Sequence, residues 1–290
     1  SAVDWITADA YAKINLTLDI MGKRRDGYHL LRMAMQSVSL CDTLTLERAA
    51  GGGIRLICRE EGVPLDSENT VFRAAEGFFR YCGMETQGVR INIQKQIPSQ
   101  AGLGGASADA AAALRALNLL FETGLTAEEL CGIGLKVGAD VPFCLLGGTR
   151  LAEGIGERIA ELPPLPDCWI VLCKPNIGVS TKEAYALADR GTIPYKPHTD
   201  RMAAALGTGK LEAVCKALGN HFEAVLQLPE IESLKREMEA LGALGAGMTG
   251  SGSVVFGLFE QEAAARCCEQ ELQKIYREVF LCKPFFPKFE

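Results

Sequence analysis

A chain of 290 residues, 48% of them apolar, can bury a large core, and its length suits two domains of ordinary size better than one. The formal net charge of −6, without any block of lysine and arginine, argues against a nucleic-acid protein, because a phosphate backbone rewards a basic face. A small molecule is the expected partner, and a few convergent donors are enough to bind an anionic one. The 11 cysteines form no C-x-x-C pair and read as reduced, mostly buried thiols of a cytoplasmic protein, without the clustering that zinc requires.

The opening SAVDWITADA lacks the basic-then-apolar pattern of a secretion leader. Next, AKINLTLDI alternates: Ile14, Leu16, Leu18 and Ile20 share one side, and Lys13, Asn15, Thr17 and Asp19 the other. This predicts a half-buried strand with a polar face. Further strands are expected at Thr43 to Glu47, Ile54 to Cys58 and Val89 to Gln94. Apolar residues at helical spacing predict helices over 67–82 (Val71, Ala75, Phe78, Phe79, Cys82) and through Ala110, Ala113, Leu114, Leu117 and Phe121.

The prolines of LPPLP, from Leu162, exclude a helix or central strand, and a new buried-type strand, CWIVLC, follows. We therefore expect a domain boundary there, with domains over 1–160 and 161–290. Helices should start near Ser180, Lys210, Ile231 and Gln261, with strands at Ser253 to Phe259 and Val279 to Cys282. The stretch from Ala240 to Phe259 is uncharged, but its glycines, Thr249, Ser251 and Ser253 suit a loop and strand better than a membrane span. The mixed order predicts an α+β protein.

The segment PSQAGLGGASADAAA, from Pro98, runs a glycine-rich loop straight into an alanine-rich helix. Such a junction presents unpaired backbone N–H groups and the positive end of the helix dipole to an anion. Gly102, Gly104 and Gly105 permit positive φ and close approach of a phosphate, while Ser107 could cap the helix or reach a magnesium ion. No Gly-Lys-Ser/Thr follows, and Ser107 stands where a dinucleotide fingerprint needs its third glycine. Read alone, the loop could also be an ordinary capped turn.

AKINLTLDI, GKRRDGYHLL, AGLGGASADAAAALRALN, GADVPFCLLGGT with LAEGIGERI, and GAGMTGSGSVVFGLF together resemble the successive signatures of the GHMP kinases. The Asp26-Gly27-Tyr28-His29 and GADVPF segments resemble a narrower family within them, whose members phosphorylate an alcohol of a cytidine-diphosphate-linked polyol on the way to isoprenoid precursors. The resemblance is strong over residues 10–160 and thinner beyond. It implies a two-domain fold, with a mixed N-terminal sheet and packed helices, then a smaller α/β sandwich. It also implies a cytoplasmic monomer or homodimer that uses ATP and Mg2+ and binds neither nucleic acid nor membrane.

By the same resemblance Asp140 is the catalytic base and Lys13 its partner, with ATP held by Ala101, Gly102, Leu103, Gly104, Gly105, Ala106 and Ser107, helped by Asn69 and Lys95. Asn15, Tyr28, His29 and Thr181 fall on the substrate side, and Ser107 is the candidate magnesium ligand. The chemistry suits these types. A carboxylate can take the proton of an attacking hydroxyl, an ammonium can offset charge on the transferred phosphoryl, and an aromatic ring and an imidazole can stack on and hydrogen-bond a pyrimidine. Read singly, each has a plainer role: Lys13 and Asn15 as a solvated strand face, Asp140 as a turn residue before Pro142, Asn69 near a helix start, Lys95 in solvent, and Ser180 with Glu183 as a capping box over Thr181. Gln100, Ala106 and Ala108 depart from the commoner residues of the pattern, and loss of a hydroxyl at 108 throws weight on Ser107. Thr249 keeps the hydroxyl of the serine usual in the last signature, whose Gly250, Ser251 and Gly252 should support the phosphate loop. A GHMP kinase for homoserine, mevalonate or a sugar, or a nucleotide-dependent sensor on the same scaffold, are the alternatives.

Overall fold

The two longest strands open the fold: β1 (Trp5–Lys23) and β2 (His29–Arg48), joined by a turn in which Gly27 takes φ 93° and Asp26 Oδ1 accepts the Tyr28 N–H at 3.2 Å. Asp26 and Gly27 thus shape the turn. The computed structural model describes residues 3–288, so the outermost positions of the two expected domains, 1–2 and 289–290, lie outside the described residues. There follow β3 (Gly53–Cys58), α1 (Thr70–Cys82), β4 (Gly88–Gln94), α2 (Gly105–Leu120), α3 (Ala127–Val137) and α4 (Val141–Leu146). Next come β5 (Thr149–Gly154), β6 (Arg158–Glu161), β7 (Trp169–Cys173), α5 (Thr181–Arg190), α6 (Thr199–Gly207), α7 (Leu211–Lys216), β8 (Gly219–Asn220) and α8 (His221–Leu226). The chain closes with α9 (Pro229–Ala240), β9 (Gly245–Met248), β10 (Val255–Phe259), α10 (Glu262–Gln273) and β11 (Val279–Cys282). This is the α+β mixture the order of elements predicts.

The chain divides into two compact units, and neither is one continuous stretch. The first takes the residues up to Ala12, Cys41–Ser99 and Gly104–Leu146. In it β4 pairs antiparallel with the second half of β2 and parallel with β3, and α1 to α4 pack on one another. Helix α1 buries Val71, Ala74, Ala75, Phe78 and Phe79 on one face. Each large side chain so buried is worth about 1.5–3 kcal/mol. Its ends follow chemistry legible in the sequence: Asn69 Oδ1 caps the start by accepting the Val71 N–H at 2.9 Å, and Gly83 closes it at φ 64°.

The second unit takes Lys13–Leu40, Gln100–Leu103 and the chain from Gly147. Here the first half of β2 pairs with β5, β5 with β6, and β1 runs parallel to β8. A second sheet of order β11-β7-β10-β9 is antiparallel throughout, backed by α9 and α10. Its strands are almost wholly buried, which suits the apolar runs CWIVLC and SVVFGLF.

One expectation is corrected at β1. Its alternation is present, but the polar side is not solvated: Lys13 is 4% exposed, Asn15 1%, and Thr17 and Asp19 0%. Partners far along the chain bury it. Asp19 accepts the Tyr195 hydroxyl at 2.6 Å, the Thr199 hydroxyl at 2.6 Å and the backbone N–H groups of His198 and Thr199 at 3.0 and 2.9 Å. Burial, then this bond to Asp19, raises the Tyr195 hydroxyl pKa. The thiols are also less buried than expected: Cys168, Cys173, Cys268 and Cys282 are buried, Cys267 is exposed and the remaining six are half-buried.

Candidate active site

In the second unit the alternating strand meets two glycine turns. Lys13 Nζ donates to Asn15 Oδ1 at 2.6 Å, and the same oxygen accepts the Gly250 N–H at 3.0 Å. The Asn15 N–H donates to Thr249 Oγ1 at 3.0 Å, and that hydroxyl donates to the Gly102 carbonyl at 2.9 Å. Backbone bonds from Lys13 N to Leu103 O (2.9 Å) and from Val254 N to Ala101 O (3.1 Å) complete the junction. Gly102 sits at φ 85°, where a Cβ would collide with the Thr249 carbonyl, and a Cβ on Gly250 would stand 2.9 Å from Gly102 Cα. Glycine is required at both positions because backbone packs directly on backbone. Asn220 Nδ2 ties the far side by donating to the carbonyls of Met248 and Gly250 at 2.8 and 2.9 Å.

The remainder of the loop belongs to the first unit. Gly104, at φ 68°, occupies the N-cap of α2 without a side-chain cap, and Gly105 is already helical. Two loop expectations are thereby corrected. Gly105 does not take positive φ, its role being space, since a Cβ there would lie 3.1 Å from Ile97 Cγ2. Ser107 does not cap, because it lies inside the first turn. No side chain caps the α2 N-terminus from the N-cap position, which suits an anion-binding end. A side chain at Gly138 would start 3.7 Å from Ser107 Oγ, so the first turn of α2 lies beside the segment that leads into Asp140. Asp140 is half-buried immediately before α4, and its carbonyl accepts the Cys144 N–H at 3.0 Å.

Beneath the start of α2, Lys95 Nζ donates to Asp42 Oδ2 at 2.6 Å and to Asp109 Oδ2 at 3.0 Å, with side-chain exposures of 8%, 0% and 6%. Lys95 is therefore not in solvent. Its ammonium is also near the loop, because a Cβ on Gly105 would stand 3.4 Å from Nζ. Asp42 Oδ1 accepts the N–H groups of Gln96 and Ile97 at 2.6 and 2.8 Å. Asp109 has a buried Oδ1 at which no donor is aimed, and burial, then the hydrogen bond with Asp42, pushes its carboxyl well above the ordinary range. Asp42 receives three donors, the Lys95 ammonium and the Gln96 and Ile97 N–H groups, whereas Asp109 receives only Lys95. Burial alone would lower the Lys95 ammonium, and the facing acids more than offset it. Asn69 spends both polar ends on structure, as the cap of α1 and in a bond from Nδ2 to Pro64 O at 2.9 Å.

The substrate-side candidates all lie in the second unit. Tyr28 is 61% exposed on the turn. His29 stacks on Tyr185, with ring centroids 4.0 Å apart and planes 22° apart, and its Nε2 lies 2.7 Å from Asp189 Oδ1. Thr181 begins α5, where Ser180 Oγ accepts the Glu183 N–H at 3.2 Å, and Thr181 Oγ1 lies 2.7 Å from Ser251 Oγ of the last glycine turn.

Comparison with known proteins identifies the family. The family described as GHMP kinases N terminal domain matches residues 69–148, and GHMP kinases C terminal matches 202–278. A Pelotomaculum thermopropionicum protein named 4-diphosphocytidyl-2-C-methyl-D-erythritol kinase is 44% identical over 285 residues, covering 98% of this chain and 99% of that protein. One of the same name from Clostridium botulinum (strain Alaska E43 / Type E3) is 41% identical over 94% of this chain and 98% of its own length. The chain belongs to this family of GHMP kinases. A solved 4-(cytidine 5'-diphospho)-2C-methyl-D-erythritol kinase superposes with TM-score 0.80 at 33% identity, covering 96% of this chain and 98% of that one. A homoserine kinase from Cytophaga hutchinsonii, at 23% identity and TM-score 0.76, shares the fold.

Within this kinase, Lys13, Asn15, Ala101, Gly102 and Leu103 fall in the second unit, and Gly104 to Ser107, Asn69, Lys95 and Asp140 in the first. Sequence reasoning missed Asp42 and Asp109 around Lys95, Asn220 behind the last glycine turn, and Thr70, whose hydroxyl donates to Ala106 O at 2.7 Å. Asp109 carried a signal: an acid at the fifth position of an otherwise buried alanine-rich helix has to find a cation. The others carried none.

Proposed function

We propose that this kinase transfers the γ-phosphoryl group of ATP to the 2-hydroxyl of 4-diphosphocytidyl-2-C-methyl-D-erythritol, in the methylerythritol phosphate route to isoprenoid precursors. The observation that carries the reading is the 44% identity with a kinase of that name across 98% of the chain. Asp140 takes the proton of the acceptor hydroxyl as its oxygen bonds to phosphorus and the bond to the β-phosphate oxygen breaks. Lys13, oriented by Asn15, offsets negative charge on the transferred group. The N–H groups from Gly102 to Ser107 and the dipole of α2 hold the phosphates, and Lys95 supports this end of the helix from below.

Magnesium suits this donor set. Among the described residues no group of three or more His, Cys, Asp or Glu could enclose a metal, and magnesium commonly binds through phosphates, waters and one or two protein oxygens. Ser107 Oγ would hold it, and bound there with ATP it would neutralise phosphate charge. Tyr28, His29 and Thr181 would receive the cytidine end. No described helix is long and apolar enough to cross a membrane. We further propose a cytoplasmic monomer or homodimer that binds neither membrane nor nucleic acid, with the two domains meeting between residues 160 and 161.

Incubating the protein with ATP, magnesium and the cytidine substrate should release ADP in step with substrate. Folded protein that gives no ADP above background overturns the reading. Release on homoserine or mevalonate in its place would select another GHMP activity.

A further inference from the structure

Resting on the reading of His29 as a contact to the cytosine base, we propose that Asp189 is a positioning residue that makes the site selective for cytidine over uridine, by holding His29 as the Nε2–H tautomer. An ionised carboxylate has only lone pairs to offer, so the 2.7 Å bond between His29 Nε2 and Asp189 Oδ1 requires the hydrogen to lie on Nε2. In the neutral ring Nδ1 then carries a lone pair and can only accept. The ring is not free to turn and offer the other nitrogen. Its side chain is 10% exposed, and Tyr185 packs flat against it at 4.0 Å. Lys23 Nζ, 3.6 Å from Asp189 Oδ2, supplies a positive charge on the other carboxylate oxygen.

An accepting Nδ1 distinguishes the two pyrimidines by chemistry alone. The exocyclic amino group of cytosine is a donor and completes the bond. Uracil presents a carbonyl oxygen at that position, and two lone pairs would face each other across a partly buried contact, leaving both unpaired. Sites that pair a substrate N–H in this way reject the analogue lacking it far more strongly than shape alone allows. Without Asp189 the imidazole can carry its hydrogen on either nitrogen, and the Nδ1–H form would accept uridine.

The test compares kcat/KM for the cytidine substrate and its uridine counterpart in the unaltered protein, His29→Ala and Asp189→Ala, with 15N NMR of histidine-labelled protein to read the tautomer. The unaltered protein should show the Nε2–H pattern for His29. Asp189→Ala should raise KM for the cytidine substrate by about tenfold, narrow the cytidine-to-uridine ratio by at least that factor, and leave kcat and the KM for ATP nearly unchanged. A purely structural Asp189 would lower the melting temperature without moving the ratio. If His29→Ala weakens selectivity while Asp189→Ala keeps it, the tautomer proposal falls and the base contact stands. If His29→Ala leaves selectivity intact, the underlying reading falls. An Nδ1–H signature in the unaltered protein overturns the proposal even if the variants do not fold.

Discussion

The hydroxyl of Thr249 donates to the carbonyl of Gly102 across 2.9 Å and accepts the Asn15 N–H at 3.0 Å, so that one side chain fastens the glycine turn of the phosphate loop to the strand that carries Lys13. Thr249 is 0% exposed, and no water can replace it. Thr249→Val keeps the shape but leaves a buried N–H and a half-buried carbonyl unpaired, at about 1–3 kcal/mol. The expected result is that loss in urea unfolding together with a raised KM for ATP, while Thr249→Ser stays near the unaltered protein. Equal behaviour of the two variants would show that the hydroxyl is not needed.

Gly102→Ala should be far more damaging than a glycine replacement elsewhere at similar φ. At Gly102 a Cβ meets the Thr249 backbone, whereas at Gly124, with φ 64°, it meets nothing within 4 Å. Gly124→Ala carries only the left-handed cost, about 1–2 kcal/mol, and should leave turnover intact. Nucleotide titration by calorimetry should find ATP binding weakened at least tenfold in Gly102→Ala alone, since the loop must move to admit the methyl group.

Asp140→Asn removes the proton acceptor but keeps size and polarity. Turnover should fall by about 10²–10⁴, with nucleotide affinity within a few-fold of the unaltered protein. Steady-state kinetics beside an ATP titration separate the two, and unaltered kcat would remove Asp140 from the base role.

Asp109→Asn probes the buried acid by pH. Because the carboxyl is held well above its ordinary 3.8, folding favours the protonated form, and the stability it contributes is complete at low pH and lost as pH rises through the elevated value. An asparagine cannot ionise and should not show this loss. Urea midpoints should match near pH 4, with the unaltered protein falling behind the variant as pH increases. A gap that widened the other way would mean that Asp109 is the ionised partner of Lys95.

How much of this was legible beforehand differs by residue. The glycine loop, the alternation of β1, the helix ending at Cys82 and the final strand at Val279–Cys282 follow from local spacing and sterics, and were readable as such. The two-residue β8 at Gly219–Asn220 and the six-residue α8 at His221–Leu226 were not: two residues show no alternation and six span less than two helical turns, so both owe their conformation to what they pack against. Within the site, Gly102 was expected from its turn, but the reason it must be glycine is the Thr249 backbone lying against it.

By itself the amino-acid order determined the alternation of β1, the helix that ends at Cys82, which glycines could bend the chain, and the family to which the catalytic candidates belong. Only tertiary structure decided that the polar side of β1 is buried, that Lys95 is answered by two acids, and that His29 has Asp189 for a partner. The physical reason is range. Propensity and periodicity act over a few residues, whereas a buried hydrogen bond such as Asn15 to Thr249 joins groups 234 positions apart and exists only once the chain between them has folded.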